Sequence, residues 1–99
     1  GLISVYTLVL EENYQKAAEE VEKLREQSPQ NAEVLKLLAQ LKLSLNLPTE
    51  AAEVFKHYLI YYPEDTQTTF ILAKLLVDTG ELTEADTYID RLLEINFED

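Results

Sequence analysis

The chain lacks cysteine, methionine and tryptophan, and its 99 residues include only two glycines and three prolines. Without cysteine, there is no disulfide framework, no thiolate metal ligand and no cysteine nucleophile. Two glycines are too few to build a phosphate-binding loop. Because methionine is missing even at residue 1, we expect the chain to be part of a longer or processed protein.

Basic residues are also scarce. The chain has 8 Lys and Arg against 19 Asp and Glu, which gives a formal net charge of −11. This balance works against binding to phosphate backbones and to anionic membranes. The longest uncharged apolar run, GLISVYTLVL at residues 1–10, is about half of the roughly 20 residues needed to span a bilayer, and it has no basic leader. We therefore expect neither nucleic-acid binding nor membrane insertion.

No residue pattern of a known catalytic or metal site is present. The single histidine, His57, follows Lys56 without the spacing of a HExxH motif, and a surface position is the favoured interpretation. None of the three serines, Ser4, Ser28 and Ser44, stands in a G-x-S-x-G elbow. We predict no enzymatic activity, no cofactor and no bound metal.

Acidic residues gather near the end of the chain, where residues 66–99 hold 8 acids against 2 bases. These acids do not stand at alternate positions around a central glycine, which is the pattern of a calcium-binding loop. A solvated helix face is the favoured interpretation, and attraction of a basic partner is the alternative. The clustered acids are Asp78, Glu81, Glu84, Asp86 and Asp90.

One period, of about 34 residues, organises the sequence. The stretch NLPTEA at residues 46–51 recurs as GELTEA at residues 80–85, and ENYQKA at residues 12–17 keeps the final alanine. Pro29 and Pro63 are also one period apart. Each is followed two residues later by a helix-capping type, Asn31 or Asp65. We predict helices that begin near residues 32 and 66, and another near residue 48, where a proline is accepted in a first helical turn.

The segments between these signals have helical periodicity. In EVLKLLAQLKLSL, residues 33–45, apolar side chains recur every three or four positions, and residues 50–62, 69–80 and 84–95 repeat the scheme. The predicted fold is all-α and consists of three helix–turn–helix units at about residues 1–31, 32–65 and 66–99. A chain of 99 residues can bury one small core, so we expect a single domain.

This arrangement resembles the tetratricopeptide repeat, a helix–turn–helix unit with the same period. The first-helix positions of that family match Leu35, Leu38, Ala39 and Lys42 in the middle repeat, and Thr69, Leu72, Ala73 and Leu76 in the third. The second-helix positions match Ala17 with Val21, Ala51 with Phe55, and Ala85 with Ile89, and the closing prolines match Pro29 and Pro63. The resemblance covers the whole chain and implies a right-handed α-solenoid.

The first and last repeats depart from the family pattern. Ser4 and Val5 stand where a leucine and a small residue are expected, which predicts a first helix that is truncated or shifted in register. Phe97 replaces the closing proline of the third repeat. The small residues elsewhere predict close helix packing, so Ala73→Leu should destabilise the fold by about 1 to 3 kcal/mol.

In the tetratricopeptide family, the first helices of successive repeats line a concave surface that binds ligands. The resemblance therefore implies a binding site at Leu2, Ile3, Tyr6, Lys36, Leu37, Gln40, Phe70, Ile71 and Lys74. These side chains are mostly apolar, which favours an apolar or amphipathic peptide flanked by basic residues. For Leu37 and Ile71, packing against neighbouring repeats is an equal alternative.

Some family members grip the acidic C-terminal tails of heat-shock chaperones through a clamp of Lys, Asn, Asn, Lys and Arg. The matching positions here are Leu2, Tyr6, Leu37, Gln67 and Ile71, and none of them carries the family's residue. We therefore predict that chaperone tails do not bind.

Three functions are consistent with these features. The favoured one is a protein-interaction scaffold that binds a protein or peptide partner. The second is self-association through the apolar first segment, residues 1–10. The third is a small acidic secretion chaperone, because chaperones of type III systems resemble this three-repeat groove.

Overall fold

A computed structural model of the chain describes the backbone of residues 1–98 and the side chains of residues 1–94. The described backbone forms helices and no strand, as predicted for an all-α fold. The helices are α1 (Leu2–Leu10), α2 (Tyr14–Gln27), α3 (Ala32–Ser44), α4 (Pro48–Tyr61), α5 (Thr66–Asp78) and α6 (Leu82–Glu98).

Local capping chemistry sets the helix starts. The Asn31 Oδ1 atom accepts a hydrogen bond from the Val34 amide at 3.0 Å, and the Asp65 Oδ1 atom accepts one from the Thr68 amide at 3.1 Å. Pro48 is the first residue of α4, where its missing N–H has no intrahelical acceptor to lose. The three predicted helix starts are confirmed.

The turn inside each repeat has one repeated geometry. The left-handed backbone conformation occurs at Glu12 (φ 60°), Asn46 (φ 59°) and Gly80 (φ 81°), which stand one period apart from each other in turn. In each turn, the amide of the residue after the left-handed one donates a hydrogen bond to the carbonyl five residues before it, which completes a Schellman motif. These bonds run from Asn13 to Leu8 at 2.9 Å, from Leu47 to Lys42 at 2.9 Å, and from Glu81 to Leu76 at 2.8 Å.

Helix α1 is shorter than α3 and α5 and keeps the register of the other repeats. It has 9 residues, whereas α3 and α5 have 13 each. Its last residue, Leu10, lies one period before the last residue of α3. Val5 occupies the position of Ala39 and Ala73 and is fully buried. Because α1 begins one residue after the start of the chain, its length does not test the predicted truncation, whereas the alternative of a shifted register is wrong.

The helices stack in chain order, because each packs against the helix that follows it. The hairpins α1/α2, α3/α4 and α5/α6 form an elongated body of 42 × 25 × 20 Å. One continuous core runs through the stack, as expected for repeats that each bury a face against the next. Its largest fully buried side chains are Phe55, Leu35, Leu38, Leu72, Leu76, Val5 and Val21.

Candidate functional site

An open cavity of about 320 Å³ lies between α3 and α5, the first helices of the second and third repeats. We call it the groove cavity. It brings together three of the predicted site residues, Phe70, Ile71 and Lys74. The side chains that line it are Leu43, Phe70, Ile71, Lys74, Leu75 and Asp78.

The groove cavity combines apolar walls with one pair of opposite charges. Phe70 is 61% exposed and Leu43 is 36% exposed, so both can be covered by a ligand. Lys74 and Asp78 lie one helical turn apart on α5 and line the same cavity. Such a site can bury apolar side chains of a peptide and pair with the polar groups beside them.

The predicted site residues on α3 have different environments. Leu37 is half-buried and packs against the core, as does its counterpart Ile71, in agreement with the packing alternative. Gln40 is exposed. The Lys36 ammonium lies 3.0 Å from Asp65 Oδ2 and 5.2 Å from the centroid of the Tyr58 ring. Lys36 therefore ties α3 to the start of α5 and to α4.

The polar contacts of Asp65 explain the pKa shifts at this junction. Burial by itself would raise the pKa of Asp65, but hydrogen bonds from the Tyr58 hydroxyl, from Thr68 and from Lys36 outweigh it and hold that pKa well below its usual range. The same carboxylate raises the pKa of Lys36. The pKa of the Tyr58 hydroxyl is raised, first by burial and then by its bond to Asp65. The junction thus holds an ionised Asp65 paired with an ionised Lys36.

The predicted site residues on α1 do not line the groove cavity. Leu2 is half-buried, Tyr6 is 45% exposed and Ile3 is 85% exposed. They occupy the equivalent positions one repeat earlier, beside the α1/α2 hairpin. Leu10, at the end of α1, is also 85% exposed, so this helix presents its own apolar surface.

Sequence reasoning missed Leu43, Leu75 and Asp78 in the groove cavity. For two of them, the helical spacing in the sequence indicated a place on the same face. Leu43 follows Gln40 by three residues, and Asp78 follows Lys74 by four, so both extend the predicted face by one helical turn. Leu75 is half-buried and packs against the core. The periodicity of α5 therefore indicates a packing role for this residue, and it did not indicate a place in the cavity.

The sequence analysis predicted a surface position for His57, and the structure shows this side chain half-buried. Its Nδ1 atom lies 2.9 Å from Arg25 Nη2, and its Nε2 atom lies 3.3 Å from the Tyr61 hydroxyl. Because a guanidinium only donates hydrogen bonds, Nδ1 is the acceptor. His57 therefore links α4 to α2 on the face formed by the second helices. The side chains of residues 1–94 contain no group of three or more potential metal ligands.

No helix within the described residues has the length and apolar character needed to cross a membrane.

A sequence model of the family described as tetratricopeptide repeat matches residues 8–67. No curated protein matches the chain significantly in sequence. Among solved structures, a crystal structure of MamA superposes with a TM-score of 0.79 at 20% identity, covering 92% of this chain and 53% of MamA. The type III secretion chaperone SycD of Yersinia enterocolitica, in complex with a peptide of the translocator YopD, superposes with a TM-score of 0.75 at 16% identity. That match covers 91% of this chain and 69% of SycD.

Proposed function

The chain belongs to the tetratricopeptide repeat family, whose repeats build protein-interaction scaffolds, and we propose that this scaffold binds an apolar or amphipathic peptide in the groove cavity. The observation that carries the proposal is the pairing of exposed Phe70 and Leu43 around one open cavity. Burying each large apolar side chain of a ligand there contributes about 1.5 to 3 kcal/mol.

The solved complex of SycD supports a peptide as the ligand, since that chaperone shares this fold and is bound to a segment of YopD. At 16% identity the likeness concerns the fold, so the ligand's chemistry must follow from this chain's own side chains. Lys74 and Asp78 at the cavity suit a segment that carries polar groups beside its apolar anchors. A role as a secretion chaperone is one biological setting for such a groove.

Selection of peptides on the immobilised protein tests this proposal. We expect displayed peptides to be enriched in sequences with spaced apolar residues, and the synthetic forms to bind the wild-type chain. Leu43→Glu should weaken binding at least about tenfold, because it places a charge inside the apolar cavity. Ile60→Glu is the matched control, since Ile60 is 72% exposed on α4 and does not line the cavity.

Two results would contradict the proposal. One is that no sequence is enriched above background, and the other is that Leu43→Glu and Ile60→Glu bind the selected peptides equally well. Acidic tail peptides of heat-shock chaperones form a negative control. We expect them not to bind, because Phe70 and Ile71 supply no cation and Lys74 adjoins Asp78.

Self-association through α1 is a second candidate function, favoured by the 85% exposure of both Ile3 and Leu10. Two such apolar faces could pack together between copies of the chain. Sedimentation of the wild type and of an Ile3→Glu, Leu10→Glu double variant tests it. A monomeric wild type at high concentration would exclude this candidate and leave the peptide-binding proposal unaffected.

A further inference from the structure

Another open cavity, of about 310 Å³, lies between α4 and α6, on the face formed by the second helices. We call it the outer cavity. It shares no lining side chain with the groove cavity, so the proposed function does not use it. The side chains that line it are Lys56, Leu59, Ile60, Pro63, Tyr88 and Arg91.

The equivalent place one repeat earlier is bridged by a hydrogen bond. Within residues 1–98, each helix packs only against the helices before and after it in the chain, so successive second helices meet through long side chains. Between α2 and α4, Arg25 Nη2 donates to His57 Nδ1 at 2.9 Å. One period later these positions hold Leu59 and Arg91, and a leucine side chain can neither donate nor accept. The outer cavity is therefore open where its counterpart is bridged.

Continuation of the repeat would not cover the outer cavity. Helix α5 packs on α4 and does not contact α2, so it leaves the junction of α2 and α4 uncovered. A helix one period after α5 would pack on α6 in the same way and would leave the junction of α4 and α6 uncovered. A further repeat is therefore not the occupant of this cavity.

The outer cavity is basic, although the chain has a net charge of −11. Three basic residues follow residue 42 in the sequence, and two of them, Lys56 and Arg91, line this cavity. None of its lining side chains is acidic. At its counterpart, one period before Lys56 and Ile60, stand Glu22 and Glu26. The sign of the local charge therefore differs between the two junctions.

The two cations of the outer cavity differ in their availability. The Lys56 ammonium lies 3.2 Å from Glu53 Oε1 and also pairs with Glu84. Arg91 is exposed and forms no ion pair with an acidic side chain of residues 1–94. Its guanidinium lies 4.8 Å from the centroid of the Tyr88 ring. Stacking on an aromatic ring leaves the N–H groups at the edge of a guanidinium able to bind an anion.

We propose that the outer cavity binds a segment of a partner protein that places one carboxylate on Arg91 and a large apolar side chain next to it. A carboxylate can accept two parallel hydrogen bonds from a guanidinium. The apolar side chain of the ligand covers Ile60, which is 72% exposed, and contacts Leu59, which is 3% exposed and lies at the bottom of the cavity.

The surrounding acids limit the ligand to one carboxylate. Glu53 and Glu84 lie beside Lys56, and Asp90 precedes Arg91 in the sequence. A ligand with a run of acids would be repelled by these carboxylates. At physiological ionic strength, exposed charges more than about 8 Å apart are largely screened. A single carboxylate in contact with Arg91 is therefore attracted in spite of the negative charge of the whole chain.

Subtractive selection of displayed peptides tests the proposal. Random peptides are depleted on the immobilised Arg91→Gln variant and then selected on the wild-type chain. We expect the enriched sequences to carry one Asp or Glu next to a large apolar residue. In synthetic forms of these peptides, replacing the acid by its amide should weaken binding at least about fivefold. This difference should shrink as salt screens the ion pair.

Four variants locate the binding of the synthetic peptides. Arg91→Gln should weaken it at least about fivefold. Lys74→Gln is the matched control, because it removes the same charge from the groove cavity and should change nothing. Ile60→Glu should also weaken binding, since it places a negative charge beside the bound carboxylate, whereas Leu43→Glu should not. Circular dichroism checks that each variant is folded.

A charge reversal provides an independent test. Arg91→Glu should bind the selected peptides weakly, and it should prefer the forms in which the acid is replaced by lysine. Because Arg91 is exposed, this variant should keep the fold.

Four outcomes would overturn the proposal. They are no enrichment over background, enriched peptides without an acid, equal weakening by Arg91→Gln and Lys74→Gln, and a dimer in sedimentation that Arg91→Glu dissociates. The last would assign the outer cavity to a second copy of the chain. Because Leu43 lines only the groove cavity and Ile60 only the outer cavity, a failure of this proposal is distinguishable from a failure of the peptide groove.

Discussion

Asp65 connects three helices through one side chain. It caps α5, accepts from the Tyr58 hydroxyl of α4 and pairs with Lys36 of α3. Asp65→Ala should destabilise the fold by about 2 kcal/mol, since it removes a cap and leaves two partners unpaired. Asn31→Ala is the matched control, because Asn31 caps α3 with one bond to the Val34 amide. It should cost about 1 kcal/mol in urea denaturation, and equal losses for both variants would contradict this account.

The same carboxylate should make stability depend on pH. The pKa of Asp65 is held below its usual range in the folded chain, so below about pH 4 the unfolded chain takes up a proton that the folded chain does not. The stabilisation is complete above that pH and is lost progressively as the pH falls. Denaturation of the wild type and of Asp65→Asn should therefore show a stability difference that narrows under acid conditions. A difference that stays constant would show that the charge of Asp65 contributes nothing.

Two alanines at equivalent positions should differ in their tolerance of a larger side chain. Ala39 is fully buried in the middle repeat, whereas Ala73 is 5% exposed and lines an open cavity of about 380 Å³ between α5 and α6. Ala39→Leu should destabilise by about 1 to 3 kcal/mol through overpacking. Ala73→Leu should cost less stability than the sequence alone predicts, because the added atoms can enter this cavity. Thermal unfolding of both variants compares them, and a larger loss for Ala73→Leu would be inconsistent with an open cavity.

At the scale of the element, the turn after each first helix uses one left-handed residue. Glu12 takes this conformation with φ 60°, although glycine adopts it without the clash that a side chain causes. Glu12→Gly should therefore stabilise the chain by about 0.5 to 1 kcal/mol. Glu11, with φ −83°, is the control, and Glu11→Gly should not stabilise. A lower melting temperature for Glu12→Gly than for the wild type would contradict the expectation.

Helix boundaries could be predicted from the sequence because their causes are local. The Asn31 and Asp65 caps and Pro48 act within one turn of the helix that they start. The left-handed Glu12 could not be inferred from its residue type, and only its position one period before Asn46 indicates it. The register of α1 is fixed by burial of Val5 in the core, a tertiary effect.

At the scale of the molecule, the sequence period predicts where the groove lies, but it does not predict which contacts the groove side chains make. Phe70, Ile71 and Lys74 line the predicted surface because equivalent positions of stacked helices share one face. Lys36 also lies at a predicted position, yet its ammonium turns to Asp65. That contact depends on how α5 sits on the preceding hairpin, which no sequence period encodes.

The repeats should differ in local stability along the array. Helices α3 and α4 have a neighbouring hairpin on each side, whereas α5 and α6 pack against one. Because a repeat array is held together by its nearest-neighbour interfaces, amides of residues 82–94 should exchange with deuterium faster than those of α3 and α4. If residues 82–94 exchange as slowly as α4, nearest-neighbour interfaces do not set the local stability of this array.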